Sequence, residues 1–468
     1  MGKQTKAVPE QQGDMPMARS FKRVDYQESG KQSVTIDTCL PPDHLARFIV
    51  AIIAMLDLSA LYAHYAPVGG EPFAPELMLG LLFYGYAVGK FSSRKIEEAT
   101  YDSLAFRFIA GGWHPDHDTI ANFRKTFLPH IVDLFTQVLV IAHELGYLKL
   151  GNISLDGSKI HADASKSQAV SYGRLLRLEM RLHGEVEELM ALGERADRAE
   201  LPEGLDIELE VSLRQERLLN LAQAKAVLEL RADERYQAEK AEYEAKVRAR
   251  EEKARRKGGK PRGRGPKPPT PGPRAKDQYN FTDPTSRIMK NSNNAGFDQQ
   301  YNAQAAVDQV SLLIVAPGLS NHAVDTGEAI PTLKTIPAEL GRPQAVAMDR
   351  NYFSPSNIRE LEALGIDPYI ATGREPHHRN WRTFFAETPA PPPEDASPMV
   401  KMAYKLRTDV GQAIYRLRKC TVEPVIGIIK EVLGFRQFSL RGLAAAAGEW
   451  CLVCLAWNLK RLRVLMSD

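Results

Sequence analysis

Apolar residues recur at helical spacing over 43–64 and again over 75–90, with Pro72 and Pro75 at the start of the second run. Proline suits a first helical turn, where its missing N–H has no partner to lose, so these runs predict an all-α region that reaches about residue 147. Two further helices are expected inside it. One opens at Ser92 or Ser93 and carries Arg94 and Lys95; the other opens at Asp118 and carries Arg124 and Lys125. Cations displayed just inside a capped helix suit a DNA backbone or groove, although the same pattern is also that of a solvated helix face. Residues 1 to about 35 show no apolar period and predict a disordered tail.

From 149 the period changes from helix to strand. Leu150–Ala164, Tyr301–Asp308, Ser311–Pro317, Ala345–Asp349 and Asp367–Ala371 are short, apolar or alternating, and bounded by turn residues. Helical patterns at Thr326–Thr335 and Ser356–Leu364 lie between the later strands. Strand, hairpin strands, helix, strand, helix, strand is the order of a ribonuclease-H-like mixed sheet. An insert over 171–280 splits it. Its two long helical runs, 171–199 and 206–256, meet at Pro202-Glu203-Gly204 and predict an antiparallel helical hairpin. Leu178, Leu182, Val186 and Leu189 are offered on one helix, and Ile207, Val211, Leu218, Leu221, Lys225 and Leu228 on the other. The expected domains are therefore a tail (1–35), a helical domain (36–147) and an α/β domain (148–468) interrupted by 171–280.

Composition narrows the class. A chain of 468 residues, 44% hydrophobic, buries a substantial core in two or three domains. The apolar run Leu45–Leu61 is broken by Arg47 and Asp57, short of the roughly 20 apolar residues of a membrane span. The first twenty residues lack the apolar centre of a signal peptide, so a cytoplasmic location is expected. Four scattered cysteines do not make a disulfide framework. Cys451 and Cys454 have the spacing of half a zinc site, but with Trp450 and Trp457 around them they read as a buried helix. Net charge is +3, and its distribution says more than its sum: 253–276 holds ten Lys or Arg and no acid, whereas 177–252 holds 13 basic and 20 acidic residues. The basic stretch, rich in Gly and Pro, reads as a flexible linker or as a non-specific DNA clamp that gains affinity from counterion release.

The candidate chemistry lies in isolated carboxylates. Asp156 and Asp349 each end a short apolar run, and Glu423 sits in Tyr415-x2-Arg418-x4-Glu423-x6-Lys430. Three carboxylates on rigid elements suit two Mg2+ (or Mn2+) ions, which prefer hard oxygen ligands and clamp the attacking and leaving oxygens of a phosphoryl transfer. Glu431 and Glu449 compete for the third place, but Glu423 lies seven residues from Lys430, about two turns, so those two share a helix face. Asp163 and Asp308 are the substitutes if one assignment fails. Pro424 either kinks the last helix or lies in the first turn of a new one beginning at Thr421. His114-x2-His117-Asp118 lacks further ligands nearby and reads as a turn and helix cap, not a metal cluster.

The Tyr-Arg-Glu-Lys set resembles the signature around the third acid of bacterial insertion-sequence transposases of the DDE superfamily. Five further stretches resemble that family's text, in order: Tyr84-Gly85-Tyr86 through Glu97, Pro115 through Arg124, Leu155 through Lys159, Tyr301 through Asp308, and Asn357 through Ala371. The four-residue gap from Arg418 to Glu423 is one longer than the usual pattern, and the helical insert is a second departure. The resemblance implies a ribonuclease-H-like catalytic core behind a helical DNA-binding domain. It implies Asp156, Asp349 and Glu423 as metal-binding catalytic acids, and Tyr415, Arg418 and Lys430 as groups that handle DNA phosphates. It also implies double-stranded DNA as partner, both terminal inverted repeats and target, and a homodimer or larger synaptic complex.

Overall fold

The computed structural model describes residues 37–66, 70–196, 204–256, 258–260, 263–291, 296–373 and 390–467. The expected tail, Pro202 and Glu203 of the expected hairpin turn, and most of 375–399 lie outside them.

The elements run in the order α1 (Leu45–Ile53), α2 (Ser59–Tyr62), α3 (Pro75–Ala87), α4 (Ser93–Asp102), α5 (Leu104–Ala110), α6 (His117–Phe127), α7 (Ile131–Glu144), β1 (Asn152–His161), β2 (Ala169–Ser171), α8 (Tyr172–Ala196) and α9 (Ile207–Arg256). There follow β3 (Gln278–Asn280), β4 (Arg287–Lys290), β5 (Phe297–Asp308), β6 (Ile314–Ser320), α10 (Ala329–Leu333), β7 (Ala345–Met348), α11 (Pro355–Ala363), β8 (Asp367–Ile370), α12 (Pro398–Lys405), α13 (Asp409–Arg416), α14 (Val422–Gly427) and α15 (Leu443–Ser467). The chain is mixed α/β and forms two compact units, one of residues 1–160 with 302–468 and one of 161–301.

In the first unit β1 pairs in parallel with β7, and β7 in parallel with β8. β5 lies on the other side of β1 and pairs antiparallel with β6. Helices α10 and α11 make the crossovers that parallel pairing requires. β6 is expected at Ser311–Pro317 but begins three residues later, because Asp308 accepts from Ser311 N at 2.8 Å and closes a turn there. The α10 pattern shortens to Ala329–Leu333.

Helix α15 explains why no boundary near 147 separates compact bodies. It packs on β6, α3 and α7, so the N-terminal helices and the sheet share one core. Asn458 of α15 accepts from Ile314 N and donates to Ile314 O, both at 2.8 Å, and so supplies β6 with the amide partner that an edge strand lacks. Cys451 and Cys454 are buried in this helix as expected. Helix α3 is buried on all sides, as an all-apolar helix should be. Among the described residues one helical stretch, His117–Glu144, is long and apolar enough by composition to cross a membrane, and half of its most apolar window is buried inside the protein.

The second unit contains the predicted hairpin. Leu182 of α8 and Leu221, Ala224 and Leu228 of α9 form its core with Val170 and Leu175. Ion pairs lace its sides, Arg214 to Glu185 and Lys225 to Glu179, both 2.9 Å. The basic stretch corrects the flexible-tether expectation. Its first residues complete α9, and the described part beyond folds back along that helix. Arg250 donates to Arg264 O at 2.6 Å, and Arg274 pairs with Glu239 at 2.9 Å.

Candidate active site

The parallel register of β1 and β7 sets the centre of the site. Leu155 stands opposite Met348, the last pair of that register, so the residues that follow, Asp156 within β1 and Asp349 just past the end of β7, come side by side. Strands lie about 4.8 Å apart, and this edge of a parallel sheet is where α/β proteins place their ligands. Asp349 is not on the strand itself but caps the 3-10 turn Arg350–Tyr352, accepting from Asn351 N at 2.8 Å. Asp156 accepts from Gly157 N at 2.9 Å and pairs with Arg418 Nη1 at 3.0 Å. Burial pushes the Asp156 carboxyl up to about 7 against the pull of Arg418, with Asp349 adding to the rise. Asp349 is also raised, by burial first.

The third acid arrives through a break in the chain. Thr421 takes φ −117° and ψ −85°, and α14 starts anew at Val422 with Pro424 in its first turn. Of the two readings of Pro424, a new helix is therefore the one adopted, and it costs no interior hydrogen bond. Thr421 Oγ1 lies 2.8 Å from both Ser154 Oγ and Leu417 O, which fastens this break to β1 two residues before Asp156. Glu423 then meets the same guanidinium as Asp156, with Arg418 Nη2 2.7 Å from Glu423 Oε1. Arg418 is on the short turn before the break, its side chain 10% exposed, with Tyr415 at the end of α13 6.0 Å from it. Lys430 reaches Ser158 Oγ at 2.9 Å and Lys159 O at 3.2 Å. It sits in a π-helical turn, Ile428–Val432, so the two-turn count from Glu423 does not hold: Lys430 reaches β1, whereas Glu423 meets Arg418.

Arg418 departs from its expected place. Sequence resemblance assigns it to DNA phosphate; here it bridges two of the three acids. Among the described residues no three carboxylate, imidazole or thiol groups stand close enough to hold an ion. The competing acids are otherwise engaged. Asp308 binds a turn, Glu431 pairs with Arg436 at the surface, and Glu449 is fully buried. Asp163 belongs to the other compact unit.

The N-terminal cations divide. Arg94, Lys95 and Lys125 are exposed, but Arg124 is buried and donates to Tyr86 Oη at 2.9 Å and Phe91 O at 3.1 Å, so its charge is spent inside the core. The cap of α6 is Asp116, which accepts from Thr119 N at 2.8 Å, two residues before the expected Asp118. Ser92 caps α4 in position without a side-chain hydrogen bond. His117 pairs with Glu97 at 2.8 Å and His114 stacks on Tyr101.

Sequence reading missed a polar cluster beneath Asp156. Asp325, on the connection after β6, accepts from Asn302 Nδ2 at 2.7 Å and Gln304 Nε2 at 3.2 Å, with Lys159 Nζ 3.5 Å away. Tyr352 donates to Gln304 Oε1, and burial raises its hydroxyl well above the usual value. The legible signal was Asn302 and Gln304, polar residues alternating within an apolar strand. Gly157 admits the cluster, because a Cβ there would strike Gln304 Nε2 and stand 2.8 Å from Asp325 Oδ1. Gly157→Ala is expected to cost about 1–3 kcal/mol of stability by overpacking, read as a lowered urea midpoint; an unchanged midpoint would show that the cluster gives way.

A family model described as a transposase DDE domain matches residues 269–459, and one described as a transposase domain (DUF772) matches residues 34–126. The chain belongs to the DDE-type transposases of insertion sequences. In this transposase the DDE match takes in Asp349, Arg418, Glu423 and Lys430 but starts after Asp156, which the second compact unit separates from them along the chain. The other match covers the helices that carry Arg94, Lys95, Arg124 and Lys125, up to the residue after Lys125. No curated protein and no solved structure matches the chain.

Proposed function

We propose that this transposase binds the ends of its insertion sequence and carries out metal-dependent DNA cleavage and strand transfer on a ribonuclease-H-like sheet. The observation that carries the reading is the pairing of Leu155 with Met348, which brings Asp156 and Asp349 together. The strand order β6-β5-β1-β7-β8, antiparallel then parallel, supports the sheet assignment.

The donor set suits Mg2+ or Mn2+: three carboxylates and no thiol or imidazole, with Asp156 desolvated and only partly compensated by one guanidinium. Asp156, Asp349 and Glu423 would hold the ions once Arg418 is displaced. Two ions there supply activation of the attacking oxygen and stabilisation of the leaving one. The chain's own residues position the rest. Lys430, anchored on β1 at Ser158, offers a point charge to a phosphate, and Arg418 a bidentate fork. Water attacks first and frees a 3′-hydroxyl; that hydroxyl then attacks target DNA, with no covalent enzyme intermediate. Two ends must be processed together, so a dimer or larger synapse is part of the reading.

The end-binding surface is read as the exposed face with Arg94, Lys95 and Lys125, and the basic residues 253–276 as a phosphate contact outside it. Neutralising those basic residues is expected to weaken binding to every DNA sequence and to lower the log–log salt slope by about 0.9 per lost phosphate contact. Arg256 and Arg274, already paired with Glu252 and Glu239, should contribute least. A slope unchanged by the full set would remove 253–276 from the interface. A strand-transfer assay with the element's own ends tests the whole reading: joined products support it, and cleavage without joining points instead to a metal-dependent nuclease.

A further inference from the structure

Arg418 is buried between Asp156 and Glu423 with one terminal nitrogen on each, at 3.0 and 2.7 Å. Its Nε is also buried and finds no hydrogen-bond partner. A guanidinium fully committed to a structural role is expected to have its donors filled, since an unmet buried donor carries the full cost of its desolvation. This one is held by charge and left short by one bond. It also rests on the turn between α13 and the break at Thr421, not inside a long helix, so its seat depends on a short segment. The three acids do not converge as a ligand set while it is there.

We propose that Arg418 is an exchangeable counter-ion: it neutralises Asp156 and Glu423 in the DNA-free transposase and transfers to a DNA phosphate when substrate binds, which frees the two carboxylates for metal. The proposal rests on the metal site described above and adds a coupling to it. A phosphate and two carboxylates compete for one guanidinium, and an ion and that guanidinium compete for the same carboxylates. DNA and metal must then each strengthen the binding of the other, by the same factor. The device keeps the carboxylates from gathering metal without a substrate phosphate to act on. No bond is made or broken; the exchange is one of ion pairs.

Mn2+ binding to the full chain, followed by electron paramagnetic resonance with and without duplex DNA, tests it. Wild-type protein is expected to bind Mn2+ weakly alone and more tightly with DNA, by about 5- to 150-fold. Arg418→Gln, which removes the competing cation, should bind Mn2+ tightly without DNA and lose most of the DNA effect. Arg418→Lys, a point charge that cannot bridge both acids as a fork, should fall between them and stands in if the Gln variant does not fold. Equal Mn2+ affinity in wild type and either folded variant, or a DNA effect that persists in both, overturns the proposal. Asp156→Asn separates the two levels: Mn2+ binding untouched by that change removes the metal site itself, whereas binding lost there and unaltered at Arg418 removes only the exchange.

Discussion

Asp156→Asn, Asp349→Asn and Glu423→Gln each lose metal-dependent DNA cleavage by about 10³-fold or more, the equivalent of about 4 kcal/mol of lost transition-state stabilisation. Each change removes an ionic oxygen ligand and keeps the shape of the side chain. DNA binding measured without metal should not weaken, because the exposed cations of α4 and α6 are untouched. Cleavage near the wild-type rate in any one variant would take that residue out of the site. Asp156→Asn carries a second expectation. The carboxyl titrates near 7 in the folded chain and near 3.8 when unperturbed, so between those values the folded state holds more protons than the unfolded one. Metal-free stability therefore falls as pH rises from about 4 to about 7 and levels off above that. The Asn variant has no charge to desolvate, and should exceed wild type at pH 8 by up to about 4 kcal/mol, the equivalent of the carboxyl's rise from 3.8 to about 7, while matching it more closely at pH 4. Equal stability at both pH values would mean that Arg418 fully compensates the buried charge.

Glu449→Ala, by contrast, is expected to destabilise the first unit by about 3–5 kcal/mol. This glutamate is fully buried on α15 and accepts from Tyr86 Oη at 3.1 Å, Ser439 N at 2.9 Å and Leu440 N at 3.0 Å, with the Ser439 hydroxyl on it as well. Tyr86 in turn accepts from Arg124, so the truncation leaves the buried Tyr86 hydroxyl and the Ser439 and Leu440 amides without their acceptor and one buried cation further from its counter-charge. A drop in urea midpoint several times larger than for Lys125→Ala, an exposed neighbour of Arg124, is the expected result. A loss under about 1 kcal/mol would show that water enters and takes Glu449's place. The two acids thus differ in sign: Glu449 has its hydrogen bonds met and supports the fold, whereas Asp156 is held desolvated and only partly compensated by Arg418.

Much of this was legible along the chain. Local patterns carried the N-terminal helices, the hairpin and its Leu182, Leu221 and Leu228 core, because a helix or a strand declares its period within a few residues. Asp156 and Asp349 stood out as polar residues ending apolar runs, and Glu423 as the acid of a spaced signature. Local patterns failed where a side chain's meaning depends on a distant neighbour. Arg94 and Arg124 look alike on paper, and only the packing of α6 on α3 puts one in water and the other against Tyr86. Glu423 and Lys430 are not two regular turns apart, since a π turn intervenes. Asp325 lies in an unpatterned connection and meets Asn302, Gln304 and Lys159 only when the strands assemble. By itself, then, the sequence determined which elements form and which residues carry charge, since both are local properties of side chain and backbone. Tertiary structure alone decided the register that sets Asp156 beside Asp349, the burial that pushes the Asp156 carboxyl upward, and the seat of Arg418 between two acids 262 positions or fewer along the chain, because charge and solvation act through space and take their strength from whatever the fold brings near.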